Sequence, residues 1–201
     1  TEEDISVFET FARIAALAYY QNRLYEDNLR LDRVDHETGL QRYSFFSESL
    51  HQNIARARSS NELLGVVMMD IDNFKRIADT YGGDARRAFL REFGGLVTRQ
   101  LRPYDTACRY GADEIIVMLP NTATEEVLRF SRDLCDSIRT HTFTEFDIET
   151  SVSCGIAVFP EDGDGVDELI RQAKRSVFEA QRAGRNKIFH NETEAVISAA
   201  E

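Results

Sequence analysis

Residues 109–115 read Arg-Tyr-Gly-Ala-Asp-Glu-Ile, and they join two apolar runs at 106–110 and 113–119. A two-residue loop between apolar runs is a strong signal for an antiparallel β-hairpin. Gly111 and Ala112 form the predicted tip, and Asp113 lies beside it. The hairpin therefore predicts a sheet with antiparallel strands, to which the rest of the chain adds helices and further strands.

Periodic apolar segments on either side of the hairpin predict one folded domain. They predict helices at 44–58, from about 84 onward, at 125–139 and at 166–182, and strands at 63–69, 151–159 and from 187 to 189. This order favours an α+β, ferredoxin-like fold with a central, mostly antiparallel sheet. We expect the flanking helices to lie on one side of that sheet.

The first 34 residues contain neither glycine nor proline and carry a seam of apolar side chains at alternating steps of three and four. The seam consists of Val7, Ile14, Leu17, Leu24 and Leu31, with Gln21 and Asn28 as polar members. This pattern predicts a parallel coiled-coil helix that makes a homodimer, in which polar positions fix the register. A surface helix packed on its own domain is the alternative. We expect a signalling helix at 1–34, the folded domain at 35–190 and a flexible tail at 191–201.

The chain has 201 residues and a formal net charge of −11 at pH 7. A nucleic acid polymer is not expected as a partner, because proteins that bind one present a basic face. No apolar run approaches the ~20 residues of a membrane span, and we expect no signal peptide. The three cysteines lack metal-ligand spacing. We expect a cytoplasmic fragment of a longer protein, linked to an upstream sensor domain.

Three carboxylates stand out by their positions. Asp70 and Asp72 follow an apolar strand, and Asp113 lies beside the hairpin tip. Carboxylates at adjacent strand ends can converge on one ion, and hard oxygen ligands of this kind suit Mg²⁺. Solvated turn residues are the alternative.

Motifs spread from residue 35 to residue 186 resemble those of the GGDEF nucleotidyl-cyclase family. They are Asp-His-Glu-Thr-Gly-Leu at 35–40, Met-Asp-Ile-Asp-Asn-Phe-Lys-Arg-Ile-Ala-Asp-Thr-Tyr-Gly at 69–82, the degenerate signature Gly-Ala-Asp-Glu-Ile at 111–115, Ser-Val-Ser-Cys-Gly-Ile-Ala at 151–157, and Ala-Gln-Arg-Ala-Gly-Arg-Asn at 180–186. The resemblance implies a nucleotidyl-cyclase-like domain. In active members, two such domains face each other with one GTP each. Each 3′-hydroxyl attacks the other α-phosphate, and cyclic di-GMP forms.

The resemblance also implies roles for individual residues. It assigns Mg²⁺ to Asp70, Ile71 and Asp113, and it makes Asp113, Glu114 and Asp70 the catalytic carboxylates. The implied nucleotide-binding residues are Phe74, Lys75, Ala78, Arg87, Gly111, Ala112 and Arg185. Among these, Lys75 and Arg185 would bind the phosphates.

Several positions depart from the family pattern. The second glycine of the signature is Ala112, which would be strained if the turn there needs a positive φ. The asparagine and aspartate that contact guanine fall at Ala78 and Arg87, and a phosphate-binding lysine falls at Gln181. Loss of the polar guanine contacts predicts weaker base selection. Glu37 stands where the family has leucine.

Residues 102–105 read Arg-Pro-Tyr-Asp, a short distance before the hairpin tip. They resemble the family's RxxD product-inhibition site, which implies that Arg102 and Asp105 bind cyclic di-GMP. Arginine can engage phosphate and guanine bidentately, and aspartate can accept a hydrogen bond from guanine. An ordinary surface ion pair is the alternative.

These residues leave three functions open. The preferred hypothesis is a degenerate, non-cyclising GGDEF domain that binds cyclic di-GMP, GTP with Mg²⁺, or both, and relays a signal through a dimeric stalk. The second is an active diguanylate cyclase, because Asp70, Lys75, Asp113 and Arg185 all persist. The third is a structural dimerisation module.

Overall fold

The computed structural model describes residues 12–21, 23, 33–143, 147–191 and 193–195. Contacts between Cα atoms divide the chain into two units, Thr1–Arg33 and Val34–Glu201. In the first unit, residues 12–21 form helix α1, on which Ile14 and Leu17 are each 59% exposed. Val7, Leu24, Asn28 and Leu31 lie outside the described residues, so the coiled coil stays a prediction. No helix within the described ranges is long and apolar enough to cross a bilayer.

The second unit alternates strands and helices around one sheet, which has seven strands among the residues described. The elements are β1 (Gln41–Arg42), α2 (Tyr43–Ser60), β2 (Leu64–Ile71), α3 (Phe74–Gln100), β3 (Thr106–Arg109), β4 (Glu114–Pro120), α4 (Thr124–Thr140), β5 (Val152–Phe159), α5 (Val166–Arg182), β6 (Ile188–His190) and β7 (Thr193–Glu194). The strand order is β1-β3-β4-β2-β5-β6-β7. Strand β2 pairs antiparallel with β4 and β5, whereas β1–β3 and β5–β6 are parallel pairs. The predicted α+β class and mostly antiparallel sheet are confirmed.

Helices cover both faces of the sheet, and the prediction of one covered face is wrong. Val67 and Met69 of β2 face the core shared with α3 and α4, whereas Val66 and Met68 face the core shared with α2 and α5. Alternate residues of a strand point to opposite faces. The continuous apolar run in β2 is therefore the sign of a strand buried on both sides.

Helix α3 begins at Phe74 rather than near Asp84, where the sequence predicted its start. Gly82 has φ 88° and ψ 174° and breaks the helix internally. Glycine adopts such a conformation without the penalty that a Cβ imposes. Because of this early start, Phe74, Lys75 and Ala78 lie on the first turns of a helix.

The C-terminal segment adds to the sheet. Thr193–Glu194 pairs antiparallel with β6, and the Ala195 amide donates a hydrogen bond to the Ile188 carbonyl at 2.8 Å. The predicted flexible tail is therefore wrong for 193–195, and residues 196–201 lie outside the described residues. The two-residue strands β1 and β7 are too short for a periodic pattern to reveal them.

Helix α5 lies directly against β5 at Gly155. A Cβ atom on Gly155 would come 2.1 Å from the carbonyl oxygen of Ala173, so only glycine permits this approach. The approach brings α5 close to the sheet beside the ends of β2 and β4, which carry the acidic residues described next.

Candidate nucleotide site

Acidic residues meet where β2 ends and β4 begins, next to the hairpin. Asp70 and Glu114 are cross-strand partners in the β2–β4 register. The Ile71 amide donates a hydrogen bond to the carbonyl of Asp113 at 3.0 Å. The structure therefore brings together all the residues that the sequence assigned to metal binding and catalysis.

The charge balance of this cluster fits a cation. The pKa of Asp70 is raised to about 7, first because the carboxyl is partly buried and then because Asp113, Glu114 and Asp72 are nearby carboxylates. Among the described residues, no three His, Cys, Asp or Glu side chains are grouped as an ion site. The predicted donors are two carboxylates and one backbone carbonyl, and Mg²⁺ takes such a set when substrate phosphates complete its coordination.

Asp72 is a buried hydrogen-bond acceptor next to the acidic cluster. Its side chain is buried and accepts hydrogen bonds from Ser151 Oγ at 2.5 Å, Ser153 Oγ at 2.7 Å and the Asn186 amide at 3.1 Å. These bonds join the end of β2 to β5 and to the loop after α5. Both Asp72 oxygen atoms thus have hydrogen-bond partners, whereas the resemblance assigned the metal to Asp70, Ile71 and Asp113, so an ion shared with Asp72 stays a prediction.

The hairpin tip does not strain Ala112. Several non-glycine residues in the described ranges have positive φ, but Ala112 is not among them, so the condition for strain is not met. The tip is instead held by Arg109, whose Nε donates to the Gly111 carbonyl and whose Nη2 donates to the Ala112 carbonyl, both at 3.0 Å. Glu114 closes the turn by accepting the amides of Tyr110 and Gly111 at its own carbonyl.

Arg109 also connects the hairpin to the turn at 35–40. Its Nη1 lies 2.6 Å from Glu37 and 3.2 Å from Asp35, and Glu37 also binds Arg86 at 2.6 Å. The hydrogen bond from Arg109 is the main cause that lowers the pKa of Glu37. The glutamate that replaces the family's leucine thus bridges two arginines.

Four of the residues assigned to nucleotide binding lie along α3. Phe74 is buried against Phe89, with ring centroids 6.2 Å apart, whereas Lys75 is exposed. Ala78 is half-buried, and Arg87 lies beyond the break at Gly82, where it pairs with exposed Asp84. A methyl group and a cation therefore stand at the positions to which the family resemblance assigned polar guanine contacts.

Helix α5 and the loop after it place polar groups near the acidic cluster. Arg185 is exposed in the loop that the bond from the Asn186 amide to Asp72 holds beside β2. Burial raises the pKa of Asp70, and the nearby Gln181 side chain acts in the opposite direction. Lys174 Nζ lies 3.5 Å from Glu114 Oε1. Sequence reasoning missed Lys174, although its seven-residue spacing from Gln181 places both on one helix face.

Arg102 and Asp105 lie at the other end of β3 from the hairpin. Arg102 makes a forked ion pair with Asp105 at 2.9–3.2 Å, and its Nη2 also donates to Thr122 Oγ1 at 2.6 Å. The Asp105 side chain is 1% exposed, whereas Tyr104 between them is 84% exposed. A groove of about 710 Å³, lined in part by Arg56 and Tyr104, lies beside the pair.

Residues 32–187 of this chain match the sequence model of the family "Diguanylate cyclase, GGDEF domain". The response regulator PleD of Caulobacter vibrioides is 30% identical over 174 residues, which cover 85% of this chain and 38% of that protein. Diguanylate cyclase A of Treponema denticola is 28% identical over 193 residues, which cover 94% of this chain and 51% of that protein. This chain therefore spans about half or less of the length of these relatives.

A solved structure supports the same assignment. The GGDEF domain of TpbB (YfiN) from Pseudomonas aeruginosa superposes with a TM-score of 0.75 at 28% identity, covering 79% of this chain and 94% of that one. The sheet order, the acidic ends of β2 and β4 and the match to the family model agree with one another, and this chain belongs to the GGDEF domain family.

Proposed function

We propose that this chain is a cyclic di-GMP signalling module that binds a nucleoside triphosphate with Mg²⁺ but cyclises GTP poorly. The observation that carries the proposal is an asymmetry within the site. The side that would hold metal and phosphates keeps its charged residues, whereas the side that would read the base has Ala78 and Arg87. The chain would act in the cytoplasm, where GTP is available.

The phosphate side has the groups that binding requires. Asp70, the Ile71 carbonyl and Asp113 would hold Mg²⁺, which would offset the phosphate charge and polarise the α-phosphate. Lys75 and Arg185 are exposed and would bind the phosphate oxygens. Asp72 keeps β2 and the Arg185 loop in a fixed relation, because it binds Ser153 and Asn186.

The base side lacks what accurate cyclisation needs. A site that hydrogen-bonds a substrate can reject analogues by large factors, and a site without those partners loses that selection. Ala78 offers only a methyl group, and the Arg87 guanidinium is engaged with Asp84. A loosely held guanosine spends less time with its 3′-hydroxyl aligned for attack, so the rate falls even when the phosphates are bound.

A second candidate function is an active diguanylate cyclase. The specific observation in its favour is that Ala112 adopts no positive φ, so the altered signature need not distort the hairpin. The name of diguanylate cyclase A of Treponema denticola, which is 28% identical to this chain, also states this activity. Turnover measurement separates the two candidates.

Two further parts of the proposal concern regulation and assembly. We propose that Arg102 and Asp105 bind cyclic di-GMP from the adjoining groove, where Arg56 adds a positive charge and Tyr104 an exposed ring. We also propose that two copies pair through the N-terminal helix, and the exposed Ile14 and Leu17 of α1 support this. Pairing would let the helix pass a signal to two facing domains.

Calorimetry and product analysis on the chain test the proposal together. We expect GTP to bind only with Mg²⁺, and we expect Asp70→Asn to remove the Mg²⁺-dependent part of the affinity. Incubation of the chain with GTP and Mg²⁺ should yield little pyrophosphate and little cyclic di-GMP. Rapid turnover would support the second candidate, and a chain that binds neither GTP nor cyclic di-GMP would be left with the function of a structural dimerisation module.

A further inference from the structure

We propose that Lys174 supplies, from the face of α5 that meets the acidic cluster, the positive charge for nucleotide phosphates that Gln181 cannot supply. This inference rests on the proposed function, since it assumes that a triphosphate binds beside Asp70. It concerns a residue that neither the signature nor the motif at 180–186 contains.

The first support is the pairing of acidic and helical residues. Asp70 and Glu114 face each other across β2 and β4. Lys174 forms an ion pair with Glu114 at 3.5 Å, and Gln181, seven residues later on the same face of α5, lies near Asp70. One face of α5 therefore lies against both Asp70 and Glu114. The positive charge on that face belongs to Lys174, two helical turns before Gln181.

The second support is the way the Lys174 ammonium is held. Its Nζ lies 4.3 Å from the ring centroid of Tyr110, and Tyr110 packs edge-to-face on Tyr43 at 4.8 Å. A cation over an aromatic face is attracted by the ring. Tyr110 of the hairpin thus helps to keep the Lys174 ammonium group beside Glu114.

The third support is open space next to the ammonium. Lys174 is 40% exposed and lines a groove of about 680 Å³, in which Arg171 and Arg175 stand beside the carboxylates of Asp167 and Glu179. The lysine side chain has a flexible stem and three donors. It can therefore turn from Glu114 toward a phosphate oxygen without any movement of the α5 backbone.

Charge transposition provides the experiment. GTP–Mg²⁺ affinity and the thermal unfolding midpoint are measured for the chain, Lys174→Met, Lys174→Met/Gln181→Lys and the control Arg129→Met, which removes one charge from exposed α4. We expect Lys174→Met to weaken GTP binding about tenfold or more, the size of a lost charge-assisted hydrogen bond. The added Gln181→Lys change should restore most of the affinity, and the control should bind as the parent chain does.

Each other outcome overturns the inference in a distinct way. Unchanged affinity in Lys174→Met would show that its charge does not reach the phosphates, while the proposed function stands. A lower unfolding midpoint with weak binding that Gln181→Lys does not restore would show that Lys174 only braces the hairpin. If the parent chain does not bind GTP–Mg²⁺, the proposed function and this inference fail together.

Discussion

The Glu37 carboxylate lies 2.6 Å from Arg109 and 2.6 Å from Arg86, so one side chain joins the 35–40 turn to the signature hairpin and to α3. Arg109 in turn donates to the carbonyl oxygens of Gly111 and Ala112. The position of the hairpin tip therefore depends on contacts with the turn that directly follows the N-terminal unit.

Glu37→Gln should lower the free energy of unfolding at pH 7 by about 1 kcal/mol, because two guanidinium groups lose a charged partner. The pKa of Glu37 is lowered in the folded chain, chiefly by the hydrogen bond from Arg109. The stabilisation that ionised Glu37 provides is thus fully present above the ordinary carboxyl pKa, and it is lost as the pH falls through the lowered pKa of the folded chain. Urea titrations at pH 7 and pH 3 check this. Exposed Glu48→Gln is the control. If the unfolding free energies of the parent chain and Glu37→Gln differ as much at pH 3 as at pH 7, the expectation is contradicted.

Asp72→Ala should lower the free energy of unfolding by about 3 kcal/mol, because Ser151, Ser153 and the Asn186 amide lose their shared acceptor. Denaturant unfolding measures the change, with exposed Asp164→Ala as the control. A loss below about 0.5 kcal/mol would show that the buried bonds are not formed in solution.

Asp70→Asn should stabilise the metal-free chain at pH 8 by about 2 kcal/mol, allowing for partial exposure. The pKa of Asp70 is raised to about 7 by burial and by Asp113, Glu114 and Asp72. Because this pKa is raised, the stability that protonated Asp70 contributes is fully present below the ordinary carboxyl pKa, and it is lost as the pH rises through about 7. The variant should therefore show a flatter dependence of stability on pH between 4 and 8, measured without Mg²⁺. An unchanged pH profile would show that Asp70 is not in this environment.

Arg102→Ala should weaken cyclic di-GMP binding by tenfold or more, because the fork that pairs with Asp105 would also engage the ligand. Calorimetry on the chain measures the affinity, and exposed Arg99→Ala is the matched control. Equal affinity in the parent chain and Arg102→Ala would exclude this site. Because Arg102 also binds Thr122, the unfolding midpoint is measured alongside to detect loss of folding.

Ala112→Gly should not increase cyclisation. Ala112 has no positive φ, so glycine relieves no strain, and the more flexible residue should lower stability by up to about 1 kcal/mol. The rate of pyrophosphate release and the unfolding free energy test this directly. A large gain in rate would mean that the alanine methyl, rather than the base side, limits turnover.

The sequence predicted most of the fold because its apolar runs are long and strongly periodic. Helix α5 was predicted with the bounds that the structure has. The hairpin also forms, but β3 ends at Arg109 and β4 begins at Glu114, so the connection is longer than the predicted two residues. The start of α3 was missed because Asp70-Ile-Asp72 and Gly82 look like a turn, although the chain enters a helix at Phe74. The second covered face was missed because burial on both sides removes the polar alternation from β2.

Within the candidate site, residue type and strand-end position were enough to place Asp70 beside Asp113, and the family resemblance added Glu114. They did not reveal that Asp72 is held by Ser151 and Ser153, because these serines lie far along the sequence, at and just before the start of β5. Lys174 was missed for a similar reason, since its partner Glu114 is on another element. Sequence patterns identify faces of single elements, whereas partners across elements need the packed structure.

The most direct test of the central claim is the rate at which the chain forms cyclic di-GMP from GTP and Mg²⁺, compared with Ala78→Asn/Arg87→Asp. If the phosphate side is intact and the base side limits the reaction, the double variant should cyclise at least tenfold faster than the parent chain. A parent chain that already cyclises GTP as fast as the double variant would contradict the account.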